Sequence, residues 1–163
     1  MNNPDRKIKI EHYEKAYEEI IHAIKEFPAE MWQYKPSNDR WSIHEILIHI
    51  ADSEVNSYSR CRKIIAESGT KIFGYNQDKW SAMLMYIQQD TDTALELFRL
   101  LRKLTFDLIK NLDDDVWSRT ADHEFYGPIT LDNWLEMYEP HIPGHISQMK
   151  GVYQEWLTTK SRK

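Results

Sequence analysis

Apolar positions along the chain recur every third or fourth residue through four long stretches, the pattern of amphipathic helices. The first stretch, 7–27, carries Ile10, Tyr13, Tyr17, Ile20, Ile21, Ile24 and Phe27 on one face and ends at Pro28. Residues 29–39 read as a short helical turn and a loop, with Pro36, Ser37 and Asn38 as breakers. Ser42-Ile43-His44-Glu45 then has the form of a capping box and opens a second helix. Its stripe is Ile43, Ile46, Leu47, Ile50, Cys61, Ile64 and Ile65, interrupted by Glu54, with Gly69 as a stop. Residues 70–89 are mixed, with a short helix expected around Trp80 to Ile87. A third helix from Thr91 to Leu112 shows the stripe Ala94, Leu97, Phe98, Leu101, Leu104, Leu108 and Leu112. A polar connection with a turn at Gly127-Pro128 follows, and Thr130 caps a fourth helix that runs to Leu157.

Four long amphipathic helices, no strand pattern longer than a few residues and no internal repeat predict an all-α four-helix bundle. The long connection between helices 2 and 3 means that a simple up-down-up-down order is not required. At 163 residues the chain is read as a single domain, 1–163, long enough to bury its own core.

Charge narrows the partners. The net charge is −5, with acidic and basic residues interleaved. The clearest basic cluster is the tail Lys160-Ser161-Arg162-Lys163, expected to be a solvated end. Nothing in this pattern supplies the basic face that phosphate backbones require, so nucleic acid is not an expected partner. The longest apolar run, Ala82 to Ile87, falls far short of a membrane span, and no apolar run follows the charges of the N-terminus. A cytoplasmic protein acting on a small molecule is the expectation, with a homodimer as an open alternative to a monomer.

The candidate chemistry lies in histidines. His141 and His145 stand four apart in the fourth stretch, which puts both imidazoles on one helix face, one turn apart. An unbroken helix would align them with Trp134, Met137, Tyr138, Gln148 and Val152, on the inward stripe. His49 lies beside the apolar stripe of helix 2, near Ile46, Ser53 and Arg60. Imidazoles on inward faces are costly unless their nitrogens are satisfied, by a metal ion or by a hydrogen-bond network. His44 and His22 point away from these faces, and His12 and His123 have no assignment from spacing. Other sites fit less well. His-Glu-x-x-His is absent, a di-iron bundle would need two Glu-x-x-His motifs, and Cys61 falls on an apolar stripe as a small hydrophobe.

Trp41, Ser42, Glu45 and His49, forming Trp-Ser-x-x-Glu-x-x-x-His, followed by His141, His145 and Gln148 as His-x-x-x-His-x-x-Gln, resemble the DinB/YfiT-like family. That resemblance implies a four-helix bundle with His49, His141 and His145 as the ligands of one metal ion and coordination positions left open for water or substrate. It also implies metal-dependent hydrolysis, or transfer reactions that use a low-molecular-weight thiol. The chain departs from a regular final helix at Pro140 and Pro143, which flank His141. Each proline removes a helical hydrogen bond and pushes its predecessor, Glu139 or Ile142, away from helical angles, so a kink is expected there.

Three neutral imidazoles with an open position suit a catalytic ion, Zn or Ni first and Fe or Cu as alternatives. Such a divalent ion would activate water or a thiol. Ser53, Asn56 and Arg60 follow His49 along its helix and are candidates to touch substrate, or else ordinary interface polars. No general base is evident. The rival readings are a non-catalytic metal- or ligand-binding bundle and a metal-free histidine cluster held by hydrogen bonds.

Overall fold

The computed structural model describes residues 3–161. Helix α1 spans Pro4–Ile24, α2 Ile43–Ala66, α3 Gln77–Met83, α4 Thr91–Ile109, α5 Leu131–Tyr138 and α6 His141–Lys160. Three short strands, β1 (Lys71–Ile72), β2 (Thr120–His123) and β3 (Gly127–Thr130), complete the regular structure. Local chemistry sets the starts. Asn3 caps α1 with Pro4 in the first turn, three residues earlier than apolar spacing predicts. Ser42 and Glu45 form the reciprocal capping box of α2, and Thr130 with Asn133 does the same for α5. The predicted short helix falls at α3, where Asn76 rather than Trp80 marks the start. Of the basic tail, Arg162 and Lys163 lie outside the described residues.

Contacts fix the direction of each helix. Tyr13 meets Arg102 and Tyr17 meets Phe98, so α1 and α4 are antiparallel. Glu54 pairs with Arg102 and Arg62 reaches Thr105, so α2 and α4 run parallel. Ser53 meets His141, whereas Ser57 and Arg60 meet Trp134 and Tyr138, so α2 opposes α5 and α6. The order is therefore up, down, down, up. A parallel α2–α4 pair needs a return crossover, and residues 67–90 provide it. They cover the length of a 24-residue helix, about 36 Å at the usual rise.

The polar connection before α5 is more structured than sequence suggests. β2 and β3 form an antiparallel hairpin with Gly127, at φ +69, inside its pairing, and β1 joins β2 in parallel. The turn is at 124–126, not at Gly127-Pro128. Such strands carry too few residues to show a period, and their partner lies about fifty positions away.

A second departure concerns α4. Its buried positions are Leu95, Phe98, Arg102, Thr105 and Ile109. Leu97 and Leu104, expected in the core, are 41% and 53% exposed, together with Leu100. The helix is rotated so that Arg102 faces inward, because Glu54, the residue that interrupts the α2 stripe, waits for it.

Two apolar clusters fill the bundle. One gathers Tyr13, Cys61, Ile64, Trp117 and Trp134, and the other Ile20, Phe27, Ile46, Phe98 and Met149. Between them lies a belt of buried polar side chains that includes His49, Ser53, Glu54, Arg60 and Arg102.

Candidate metal centre and the cleft beside it

His49 is carried to this belt by the start of α2. Ser42 Oγ accepts from Glu45 N–H at 3.2 Å while Glu45 accepts from Ser42 N–H at 2.8 Å and from Lys35 Nζ at 2.9 Å. Although burial alone would raise the Glu45 pKa, the Ser42 N–H and Lys35 hold it below the ordinary carboxylate value. With the helix start pinned, His49 sits on the second turn, packed on the Trp41 ring at 4.7 Å between centroids. The Trp-Ser-x-x-Glu-x-x-x-His motif is thus a capping device and an aromatic wall for one histidine. Replacing Ser42 by Ala is expected to cost about 1 kcal/mol and lower Tm by about 2–4 °C. A thermal melt checks it.

His141 and His145 open α6. The fourth stretch is divided at Glu139-Pro140 into α5 and α6, the interruption that the two prolines predict. Glu139 nevertheless keeps helical angles, φ −62 and ψ −50, and its N–H still reaches Leu135 O, so the expected displacement of that residue does not occur. Ile142 lies within α6. Pro143 falls in the first turn of α6, where its missing N–H would have had no intrahelical partner. The prolines therefore leave the four-residue spacing of the histidines helical.

The three imidazoles converge. His49, His141 and His145 each offer a ring nitrogen within 4.8 Å of the other two. His141 Nε2 and His145 Nε2 are 3.1 Å apart, and Ser53 Oγ lies 3.4 Å from His141 Nε2. His145 Nδ1 is 2.9 Å from Gln148 Oε1. As donor in that bond, Nδ1 carries the proton and Nε2 keeps its lone pair toward the cluster. His49 is fully buried, and among the described residues neither of its ring nitrogens has a hydrogen-bond partner. Burial, and secondly His145, lowers the His49 pKa to about 3; burial, then His145 and His49, takes His141 to about 2. Burial lowers His145 as well, with Gln148 opposing. All three rings are neutral near pH 7, the state in which imidazole donates to a metal.

In the same buried polar belt Glu54 and Arg102 pair at 2.6 Å, each about 1% exposed, and Tyr13 Oη donates to Glu54 at 2.6 Å. This pair ties α2 to α4 and, through Tyr13, to α1.

A cleft of about 300 Å³ opens beside His141. Ser53, Arg60, Tyr75, His123, Met137 and Tyr138 are among its walls, and Phe125 and Tyr126 stand at its mouth. Of the polar residues that follow His49 on α2, Ser53 and Arg60 reach it, whereas Asn56 turns back to Asp52 O. Trp134 is core, but Met137 and Tyr138 face the cleft. His22 is exposed and His12 pairs with Glu139 at the surface. Burial pushes the Cys61 thiol up to about 12, in keeping with a packed hydrophobe rather than a nucleophile. His123, unassigned by spacing, is 3% exposed and lines the cleft, brought there by the hairpin.

Residues 12–149 match a family model described as the DinB superfamily. The protein YfiT of Bacillus subtilis, provisionally named a metal-dependent hydrolase, is 30% identical over 114 residues, 67% of this chain and 62% of its own length. A similarly named protein of Oceanobacillus iheyensis is 26% identical over 112 residues, 69% of this chain and 64% of its length. The match thus spans less than two thirds of either relative. A Bacillus cereus relative with the same provisional name is 24% identical over 143 residues, 88% of this chain and 82% of its own. The solved structure of Bacillus subtilis YfiT, described as having an unusual four-helix bundle topology, superposes with a TM-score of 0.85 at 23% identity, covering 96% of this chain and 90% of that one. No helix among the described residues is long and apolar enough to cross a membrane.

Proposed function

The chain belongs to the DinB superfamily, and on that premise we propose that His49, His141 and His145 hold one divalent transition-metal ion and that the protein is a metal-dependent enzyme acting on a small molecule in the adjacent cleft. His49 carries this reading. A fully buried imidazole with no hydrogen-bond partner among the described residues is expensive, and one nitrogen of this ring lies within 4.8 Å of a ring nitrogen on each of two other neutral imidazoles. A hydrogen bond between His141 and His145 would leave His49 with no partner at either nitrogen, whereas a shared cation would engage one nitrogen of each of the three rings.

When bound there, the ion supplies a Lewis acid that activates water or a low-molecular-weight thiol as nucleophile. The chain does the rest. Gln148 holds the His145 tautomer, Trp41 excludes water from one side of His49, and Ser53 faces His141 from the cleft side. An all-imidazole donor set favours Zn or Ni, with Fe and Cu also suited. The names of the relatives favour hydrolysis; thiol transfer is the second chemistry that the same donors support. Without turnover, the same site would make the protein a metal-binding bundle.

Elemental analysis of tag-free protein tests the site. Wild type is expected to carry about one transition-metal ion per chain, and a His141→Ala/His145→Ala variant less than roughly a tenth of that. Equal, negligible metal in both after reconstitution with Zn or Ni would overturn the reading. A panel of esters and amides, and of electrophiles with a thiol, then separates hydrolase from transferase and both from a non-catalytic bundle.

A further inference from the structure

The cleft beside the three histidines has a second set of polar groups in its lining. Residues lining it include a guanidinium, Arg60, and a buried imidazole, His123, and no carboxylate is among them, although the chain as a whole is acidic. Arg60 donates to Tyr138 Oη at 2.7 Å and to Phe73 O at 2.6 Å. Both acceptors are neutral, and of five N–H groups these bonds use two. The guanidinium is thus aimed and held, with its charge unneutralised by any ion pair among the described residues.

His123 is similarly fixed. Its Nδ1 accepts the N–H of Phe125 at 3.1 Å, so the neutral ring must carry its proton on Nε2. Among the described residues nothing accepts from that Nε2. Burial, and secondly Arg60, lowers the pKa of His123, in keeping with a neutral ring. The position is built rather than incidental. His123 ends β2 in register with Ile72 of β1 and Gly127 of β3, and Glu124 on the next residue accepts the Gly74 N–H at 3.0 Å. A methyl group at Gly74 would overlap the Phe125 ring, so the β1 segment and the hairpin tip are seated against each other. The small sheet therefore holds one donor imidazole, and beside it the Phe125 and Tyr126 rings, over the cleft.

We infer that Arg60 and His123 form a carboxylate-receiving subsite, and that the molecule entering this cleft carries an anionic oxygen group at that end and an apolar or aromatic body against Phe125 and Tyr126. Two fixed donors, one of them charged, match the two oxygens of a carboxylate. No carboxylate lines the cleft itself, and Glu124, the acidic neighbour of His123, is turned to the Gly74 N–H. The inference rests on the metal reading only for where the reacting end would lie; the subsite itself is made by residues that do not touch the three histidines.

Phenylacetate and its neutral counterpart phenylacetamide are the probes, followed by calorimetry on protein as purified and after dialysis against chelator. Phenylacetate is expected to bind at least about tenfold more tightly than the amide in both preparations, the scale of one charge-assisted hydrogen bond. His123→Phe, which keeps a ring of similar size, and Arg60→Gln should each erase most of that preference while circular dichroism stays unchanged. Should Arg60→Gln fail to fold, His123→Phe alone decides. Equal binding of the two probes, no binding of either, or a preference that survives in His123→Phe would overturn the subsite. A preference seen only with metal present would also overturn it, because the ion would then be the anion receptor and the metal reading would stand. A preference in protein that takes up no metal would support the subsite while the metal reading falls.

Discussion

Glu54→Ala is expected to destabilise the protein by about 3–5 kcal/mol, the usual cost of breaking a buried ion pair from one side. For a domain of this size that lowers Tm by about 6–20 °C. The size follows from what remains. Arg102 is 1% exposed; among the described residues its Nε lacks a partner and its one short acceptor is Glu54 at 2.6 Å. With that carboxylate gone the guanidinium keeps the faces of Tyr13 and Phe98, at 3.8 and 5.0 Å, and a long contact to Tyr13 O at 3.5 Å. Stacking on rings offsets a fraction of the lost charge pairing. Tyr13 Oη also loses its acceptor. A double replacement, Glu54→Leu with Arg102→Met, should recover most of the loss, because it removes both charges and their desolvation cost together. Urea unfolding of Glu54→Leu, Arg102→Met and the double variant gives the coupling directly. A Glu54→Ala loss below about 1 kcal/mol would mean that Arg102 reaches water on release.

That pair also shows where sequence reasoning stops. Apolar periodicity identifies the helix from Thr91 onward with an inward stripe of Ala94, Leu97, Phe98, Leu101, Leu104, Leu108 and Leu112, of which Phe98 is buried but Leu97 and Leu104 are exposed. The buried face is rotated from that stripe and shares Phe98 with it, because an inward Glu54 on α2 is tolerable only if a cation meets it, and Arg102 is the cation at the same level. Neither residue alone signals burial; only their pairing across two helices does, and pairing at a separation of 48 residues has no local signature. The histidines are different. His141 and His145 are legible because their relation is local, one helical turn. His49 is legible because the capping box fixes the phase of α2 from its first residue. The prolines expected to kink this stretch fall at a helix break and in a first turn, the two places where proline costs least. His123 escaped because it depends on a hairpin of four-residue strands and a parallel partner near residue 72.

Acid should unfold the metal-free protein in a window where its carboxylates are not yet titrating. In the unfolded chain His49 takes a proton with a pKa near 6.5, whereas in the fold burial delays protonation to about 3. The folded value is the lower one, so the unfolded state binds the extra proton. The stabilisation is fully present above pH 6.5 and is lost as the pH falls toward 3, at about 1.4 kcal/mol per pH unit. Between pH 6.5 and 4.5 His49 alone accounts for about 2 kcal/mol. His141 and His145 are shifted in the same direction and deepen the slope. Glu45 and the other lowered carboxylates act in the same sense only below about 4.5, so the upper part of the window belongs to the histidines. Urea titrations of chelated protein at pH 7, 6, 5.5 and 5 should show the fall, and His49→Gln should flatten it. A wild-type curve that is level from pH 6.5 to 5 would mean that the rings are hydrated and protonate freely, with no buried cluster. The same depressed values make a second readout of the proposed metal site. Rings that are already neutral at pH 7 have almost no proton to give up, so calorimetry in buffers of different ionisation enthalpy should find much less than one proton released per ion bound.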